Sequence, residues 1–218
     1  SEVVDLPSKG LLYPKDHPLS SGQIEIKYMT AKEEDILTSR NLIQKGIVLD
    51  KLMESVIIDD KVKLDDLLLG DKNAIMIATR ILGYGKDYTV QVEDPNTGEK
   101  QEETFDLTQI KDKELNEKLF KKGQNEFSFD LPASKVNITF KLLNHKDEKE
   151  IEEELKALKK FQKVSGVTSE ITTRLKKAIL SVDGDQTLKR INEFVDHELL
   201  SRDSLALREY LREITPDI

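Results

Sequence analysis

The change in hydrophobic periodicity along the chain is the feature that most restricts its fold. Short runs in which apolar and polar residues alternate, the pattern of half-buried strands, lie before about residue 146. Beyond this point apolar residues recur at spacings of three and four, which is typical of amphipathic helices. We therefore predict an α+β fold, with a mixed α/β region over residues 1–145 that holds two β-hairpins, followed by a helical region over residues 146–218.

The alternating runs predict one separate strand and the two hairpins. The separate strand carries Ile24, Ile26 and Tyr28. The first hairpin joins the run Tyr88–Val92 to the polar run Glu99–Phe105, because Asp94-Pro95-Asn96-Thr97-Gly98 between them has strong turn chemistry. The second hairpin joins Phe127–Leu131 to Val136–Leu142 through the turn Pro132–Lys135.

Capping residues and apolar spacing predict the helices of the mixed region. Thr30-Ala31-Lys32-Glu33 is a capping box that starts a helix running to about Ser39. Apolar residues from Val48 to Ile57 form one face of a second helix. Asp71 is expected to cap a third helix over Ala74–Leu82, with Gly83 as its stop. The charged segment Asp112–Phe120 is a candidate for a short helix.

The helical region is expected to contain four helices. Ile151, Leu155, Leu158 and Phe161 share a face of the first, which Ser165-Gly166 ends, and a second runs from Ile171 through Val182 to the stop at Asp183-Gly184. A third helix carries Leu188, Ile191, Val195 and Leu199 on one face, and a fourth runs from about Asp203 to Glu213.

Composition excludes several classes of function. The 218 residues include no cysteine, which excludes disulfides, thiol nucleophiles, iron–sulfur clusters and cysteine-bound zinc. With 34 basic and 42 acidic side chains the net charge is -8, which argues against nucleic acid as a partner. No apolar run approaches the ~20 residues of a membrane span. The first residues do not resemble a secretory signal, so we expect the protein in the cytoplasm.

No motif of known chemistry stands out. His17, His145 and His197 lie in separate segments without metal-ligand spacing, and neither a nucleophile elbow nor a phosphate-binding loop is present. The acidic residues from Asp59 to Asp66 lack the EF-hand pattern and are expected in a solvated loop. We predict no catalytic residue, no cofactor and no metal site. Two alternatives stay open: a metal-independent hydrolase using a carboxylate pair, and a cytoplasmic helical adaptor.

Four segments, in order along nearly the whole chain, carry a family resemblance. They are Leu6–Pro14 (LPSKGLLYP), Met29–Thr38 (MTAKEEDILT), Gly70–Asn73 (GDKN) with Arg80–Gly85 (RILGYG), and Asp203–Tyr210 (DSLALREY). Together they resemble the baseplate hub and hub-assembly proteins of T4-like contractile-tailed bacteriophages. This resemblance implies a non-enzymatic structural or chaperone-like protein that contacts hub, tail-tube initiator or tape-measure proteins. It also implies a place in the host cytoplasm during assembly and a link to the tail baseplate, and it allows an oligomer within the assembly.

Two of these segments supply candidate partner-binding residues. In the first they are Pro7, Lys9, Leu11, Leu12 and Tyr13, and in the last they are Arg208 and Tyr210. For the proline-bounded strip, Leu6–Pro14, one interpretation is a cover packed on its own domain and the other is an exposed arm that docks on a neighbour. For the helix carrying Arg208 and Tyr210 the alternatives are a packing element and a docking surface.

The turn of the first hairpin departs from the family pattern. Related sequences often resemble Cys-Pro-x-Cys-Gly there, which suggests a metal knuckle, whereas this chain has Asp94-Pro95-Asn96-Thr97-Gly98. Because Asp-Pro-Asn-Thr-Gly can turn the backbone by its own preferences, we predict a turn that binds no metal.

Overall fold

The structure, a computed structural model, describes residues 1–161 and 168–218 and confirms the α+β fold. Its strands are β1 (Glu2–Asp5), β2 (Gln23–Ile26), β3 (Asp87–Glu93), β4 (Lys100–Asp106), β5 (Phe127–Asp130), β6 (Asn137–Phe140) and β7 (Ile179–Val182). Its α-helices are α1 (Ala31–Leu37), α2 (Arg40–Gln44), α3 (Val48–Val56), α4 (Leu69–Tyr84), α5 (His145–Phe161), α6 (Glu170–Ala178), α7 (Leu188–His197) and α8 (Ser201–Ile214).

The strands form three small antiparallel sheets in the described part of the chain. Both predicted hairpins are confirmed, as the pairs β3–β4 and β5–β6. β2 pairs with β1, which the alternation did not predict, and it ends at Ile26, so Tyr28 lies beyond it. The third sheet has the order β5-β6-β7.

Strand β7 corrects the prediction of an uninterrupted second helix in the C-terminal region. Helix α6 ends at Ala178, and the next four residues form β7, which pairs with β6, instead of continuing the helix to Val182. Ile179 and Val182 are both buried in this pairing. Their three-residue spacing fits a helix face, but pairing with a neighbouring strand overrides a local preference of this size.

The N-terminal helices confirm most of the predictions and correct both ends of the third helix. The backbone amide and the hydroxyl of Thr30 both donate to the Glu33 carboxylate at the start of α1, and α3 matches the predicted second helix. Helix α4, however, begins two residues before Asp71 and passes through Gly83. The stop is Gly85, which has a φ of +85°. The predicted cap at Asp71 was wrong because this carboxylate accepts hydrogen bonds from Ser8 and Tyr13 instead.

Two smaller predictions also change, and a third is not tested. Only Glu117–Leu119 forms a short 3-10 turn in the segment expected to be a helix from Asp112 to Phe120. Phe161 is exposed at the end of α5 and does not share the buried face of Ile151. The predicted break at Ser165-Gly166 lies outside the described residues.

One hydrophobic core draws on most of the described chain. It includes side chains from Leu6 near the N-terminus to Ile214 in α8. The most completely buried large side chains in the described residues are Phe140, Phe194, Leu6, Leu19, Ile26, Met53, Leu67, Ile75, Leu131, Ile138, Ile151 and Leu207. Both predicted regions contribute to it, and the division at residue 146 stays a prediction. Across the described ranges, no helix combines the length and the apolar character that crossing a membrane requires.

Candidate functional site

The proline-bounded strip folds back on the protein through consecutive turns. Leu12 and Tyr13 are buried in the core, Leu11 is half-buried, and Lys9 is exposed. Gly10 has a φ of +76°, and a Cβ there would lie 2.5 Å from the carbonyl oxygen of Ser20. Only glycine therefore fits this close approach of two backbone segments.

A buried carboxylate fastens this strip to α4. Asp71 accepts hydrogen bonds from the Ser8 amide at 3.0 Å, the Ser8 hydroxyl at 2.6 Å and the Tyr13 hydroxyl at 2.6 Å. The Tyr13 oxygen in turn accepts the Leu68 amide at 3.0 Å. Burial raises the pKa of both Asp71 and Tyr13, and the hydrogen bonds from Ser8 and Tyr13 act in the opposite direction on Asp71. We call this network of Ser8, Tyr13, Leu68 and Asp71 the latch, since it holds the strip on α4 and each of its polar groups is hydrogen-bonded.

Helix α8 also packs against the body of the protein. The ring of Tyr210 stacks on Phe129 with centroids 4.7 Å apart and meets Phe140 edge-on at 6.0 Å. In the first turn of α8, Asp203 accepts the backbone amides of Ala133 at 2.8 Å and Ser134 at 3.0 Å, which fixes the β5–β6 turn.

The predicted partner-binding residues therefore differ in their solvent exposure. Pro7, Leu12 and Tyr13 are buried, whereas Lys9 is exposed, and Leu11, Arg208 and Tyr210 are half-buried. Within the described ranges, no hydrogen bond or ion pair joins the strip to Arg208 or Tyr210. Their role in binding partners stays a prediction, and it concerns the accessible members of the set.

A small polar cluster lies where α3, α4 and α5 meet. Because the Lys72 ammonium can only donate, the Nδ1 atom of His145 accepts a hydrogen bond from it at 3.1 Å, and the Nε2–H group donates to Asp50 at 3.1 Å. Both ring nitrogens are thus used in holding three helices together. Among residues 1–161 and 168–218, no three His, Asp or Glu side chains group as metal ligands would.

The β3–β4 hairpin is the exposed feature that the sequence reading did not single out as a site. The register places Tyr88 opposite Phe105 and Val90 opposite Glu103, so one face of the ribbon carries most of its apolar side chains. Tyr88 is 44% exposed and Phe105 is 49% exposed. Large apolar side chains with this exposure, side by side on a two-stranded ribbon, form an uncovered surface.

The base of the hairpin is attached to the end of α4. The Arg80 guanidinium lies over the rings of Tyr84 at 5.0 Å and Tyr88 at 5.6 Å. The Leu107 amide donates to the Lys86 carbonyl at 2.8 Å, which closes the two strands. Next to this base a shallow groove is lined by Tyr88, Phe105, Leu107 and Ile110 among others. We call the surface of Tyr88, Val90, Val92, Phe105 and Ile110 the hairpin face.

The rest of the hairpin is acidic and its turn is closed by hydrogen bonds. Residues 86–106 contain seven acidic and two basic side chains. In the turn, the Asp94 amide donates to the Glu99 carbonyl at 2.9 Å, and the Asp94 carboxylate accepts the Asn96 amide at 2.8 Å. Gly98 supplies the left-handed residue, with a φ of +72°. These bonds form the turn from backbone and side-chain groups of the chain itself.

Comparison with known proteins identifies a family but no individual relative. The family model described as T4 bacteriophage base plate protein matches residues 5–215. No significantly similar curated protein and no significantly similar solved structure was found. The family match includes the strip, the hairpin and α8, and so covers every surface described above.

Proposed function

Since the chain belongs to the T4 bacteriophage base plate protein family, we propose that this baseplate structural protein acts at the hub as a non-enzymatic assembly factor. It holds hub, tail-tube initiator or tape-measure proteins through protein–protein contacts, in the host cytoplasm while the tail is built. The family match supports the baseplate part of this proposal. The hairpin face supports a role that depends on contacts.

The hairpin face is the observation that carries the proposal. Seven residues at about 3.4 Å each give strands about 24 Å long. Among residues 1–161 and 168–218, both strands pair only with each other. An isolated two-stranded ribbon is marginally stable in water, and covering its apolar face stabilises it. A partner protein that packs on Tyr88 and Phe105 provides such a cover.

The acidic surroundings of the hairpin face define the chemistry of that partner. A complementary surface has an apolar strip flanked by lysine or arginine side chains, since opposite charges at the rim guide association and disfavour wrong partners. The same acidic side chains repel DNA phosphates, so contact with the phage genome is disfavoured. Binding through this rim weakens as salt is added.

Paired substitutions on the two faces of the hairpin test the role of the hairpin face. Tyr88→Ser with Phe105→Ser removes its aromatic groups, whereas Thr89→Ala with Thr104→Ala alters a directly opposed, uncharged pair on the other face. We expect the tagged first variant to lose tail proteins in pull-downs from infected cells, and the second to retain them. Equal recovery by both variants would overturn the role given to the hairpin face.

A clean deletion of the gene tests the assembly function itself. Cells infected with the deletion phage should contain tails that have not started or baseplates without hubs, as seen by electron microscopy. Expression of the wild-type chain from a plasmid should restore complete tails. Normal tails in the absence of the protein would refute the assembly role, and recovery of no tail protein by the wild-type chain would favour an adaptor unrelated to tails.

A further inference from the structure

A second accessible site lies in an open cavity of about 360 Å³ between α6 and α8. The start of α4 and the segment after β6 form its other sides. Most of its lining is apolar, and includes Leu142, Ile171, Leu175, Leu211 and Pro216. Pockets of this size with mostly apolar walls and a few polar groups are the usual form of a binding site.

Some basic side chains of this cavity form ion pairs and others do not. Arg174 binds Glu148 through two hydrogen bonds of 2.8 and 2.6 Å and also contacts Glu170, the only acidic residue of the lining, at 3.3 Å. Lys141 is paired with Asp147 at 2.9 Å. Within the part of the chain that the structure describes, the Arg208 and Arg212 guanidinium groups have no acidic partner.

The hydrogen-bonding groups of the Arg208 side chain are not fully satisfied by the described residues. Its Nε atom is buried from solvent and has no hydrogen-bond acceptor among the described residues. Leaving such a donor without a partner costs free energy, and few buried polar groups in folded proteins are left unpaired. An arginine fork beside apolar walls is suited to a carboxylate that approaches together with an apolar group.

We propose that this cavity, the Arg208 pocket, binds a segment of a partner protein in which an Asp or Glu side chain stands beside a leucine- or phenylalanine-type side chain. The carboxylate pairs with the terminal nitrogens of the Arg208 guanidinium, because the Nε atom has no accessible surface toward the cavity. The apolar side chain lies between α6 and α8. The inference rests on the proposed function, because it takes the ligand to be a protein that this chain helps to assemble. It adds a second contact, whose positive charge is opposite to that of the acidic side chains around the hairpin face.

Short peptides test the pocket without knowledge of the natural partner. The probe is acetyl-Asp-Leu-Phe-amide, with acetyl-Asn-Leu-Phe-amide as its uncharged match, each titrated into the ¹⁵N-labelled full chain and followed by NMR. We expect the acidic peptide to shift amides near Ile171, Leu175 and Leu211 and to bind about tenfold more tightly than its match, as expected for a charged hydrogen bond. Equal affinities, or shifts confined to other parts of the protein, would overturn the proposal.

Variants of the two arginines separate binding from a structural role. Arg208→Met should abolish the preference for the acidic peptide and leave the Tm unchanged or higher, because the wild-type Nε–H is unpaired. A lower Tm together with an unchanged preference would refute the role of Arg208. Arg202→Met, on the same helix but exposed and outside the lining of the cavity, is the matched control and should keep the preference. If Arg208→Met fails to fold, the comparison of the two peptides on the wild-type chain still decides.

Two further readouts distinguish this inference from its alternatives. A concentration-dependent dimer in sedimentation that Arg208→Met abolishes would identify a second copy of this chain as the occupant and overturn the assignment to a partner. Peptide binding at the pocket with normal tails from the gene deletion would refute the assembly function and leave the peptide site. Defective tails with no peptide binding would leave the function and refute the pocket.

Discussion

Tyr13→Phe should be one of the most destabilising single-atom changes in this protein. The Tyr13 hydroxyl, in a side chain only 4% exposed, donates to Asp71 at 2.6 Å and accepts the Leu68 amide at 3.0 Å. Phenylalanine fills the same space, so packing is preserved and only the hydrogen bonds are lost. The change therefore isolates the latch between the strip and α4.

The expected cost follows from the two bonds. A hydrogen bond to a charged group contributes about 1.5 to 3 kcal/mol, and leaving a buried amide such as that of Leu68 unpaired costs about 1 to 3 kcal/mol. Because the two effects share one oxygen and are not additive, we expect the free energy of unfolding to fall by about 2 to 4 kcal/mol. This is a large part of the 5 to 15 kcal/mol that holds a typical domain folded.

Urea unfolding of the wild type and the variant measures this difference. Tyr28→Phe is the control, since it removes a hydroxyl from an exposed tyrosine that donates to Glu2, and its midpoint should not change. The double variant with Asp71→Asn should cost less than the sum of the single variants, because both remove the same interaction. A loss below about 1 kcal/mol for Tyr13→Phe would show that the latch does not stabilise the fold.

Three further perturbations have defined outcomes. Burial opposes ionisation of Glu33, but hydrogen bonds from Lys27, Thr30 and Ser55 outweigh it and hold the pKa of this carboxyl well below its usual range. The stabilisation that this shift provides is complete above the unfolded pKa of about 4.3 and is lost as the pH falls from there toward the folded pKa. Glu33→Gln should therefore be less stable than wild type at neutral pH, and the difference should shrink on acidification. A difference in urea midpoint that does not change with pH would contradict this. Asp203→Ala should lower the free energy of unfolding by about 2 kcal/mol and speed hydrogen exchange at the Ala133 and Ser134 amides, and unchanged exchange there would contradict the role of this carboxylate. For the hairpin turn, elemental analysis should find no zinc above background and EDTA should leave the Tm unchanged, whereas stoichiometric zinc would overturn the prediction of a metal-free turn.

Local patterns predicted the elements that depend on local interactions. The capping box at Thr30, both hairpins and the starting points of most helices follow from residues within a few positions of one another, and the structure confirms them. The errors occur where a distant segment decides. Asp71 serves Ser8 and Tyr13, which lie about 60 positions earlier in the chain, and β7 exists because β6 is available to pair with it.

The candidate surfaces were harder to predict for a related reason. The strip and α8 were proposed as partner-binding because they carry the family resemblance, yet much of what they contribute is burial against this chain's own core. A segment can carry a family pattern because its residues are needed inside the fold. Ser8 binds the buried Asp71, and Gly10 allows two backbone segments to approach closely. Arg208 was named from the sequence, but its unpaired Nε could not be predicted because it depends on how α6 and α8 pack around the cavity.

The two hairpins show why exposure cannot be read from alternation alone. Tyr88–Val92 and Phe127–Leu131 have the same period of two, which says only that their apolar side chains share a face of a strand. In the second hairpin that face meets α8 through Phe129 and Tyr210 and is covered. In the first, the partner strand is polar and acidic, and Tyr88 and Phe105 stay 44% and 49% exposed although the Arg80 side chain of α4 lies over Tyr88. The polar partner strand was therefore the local feature that indicates an exposed hairpin. This exposure favours the hairpin face as the surface that binds an assembly partner.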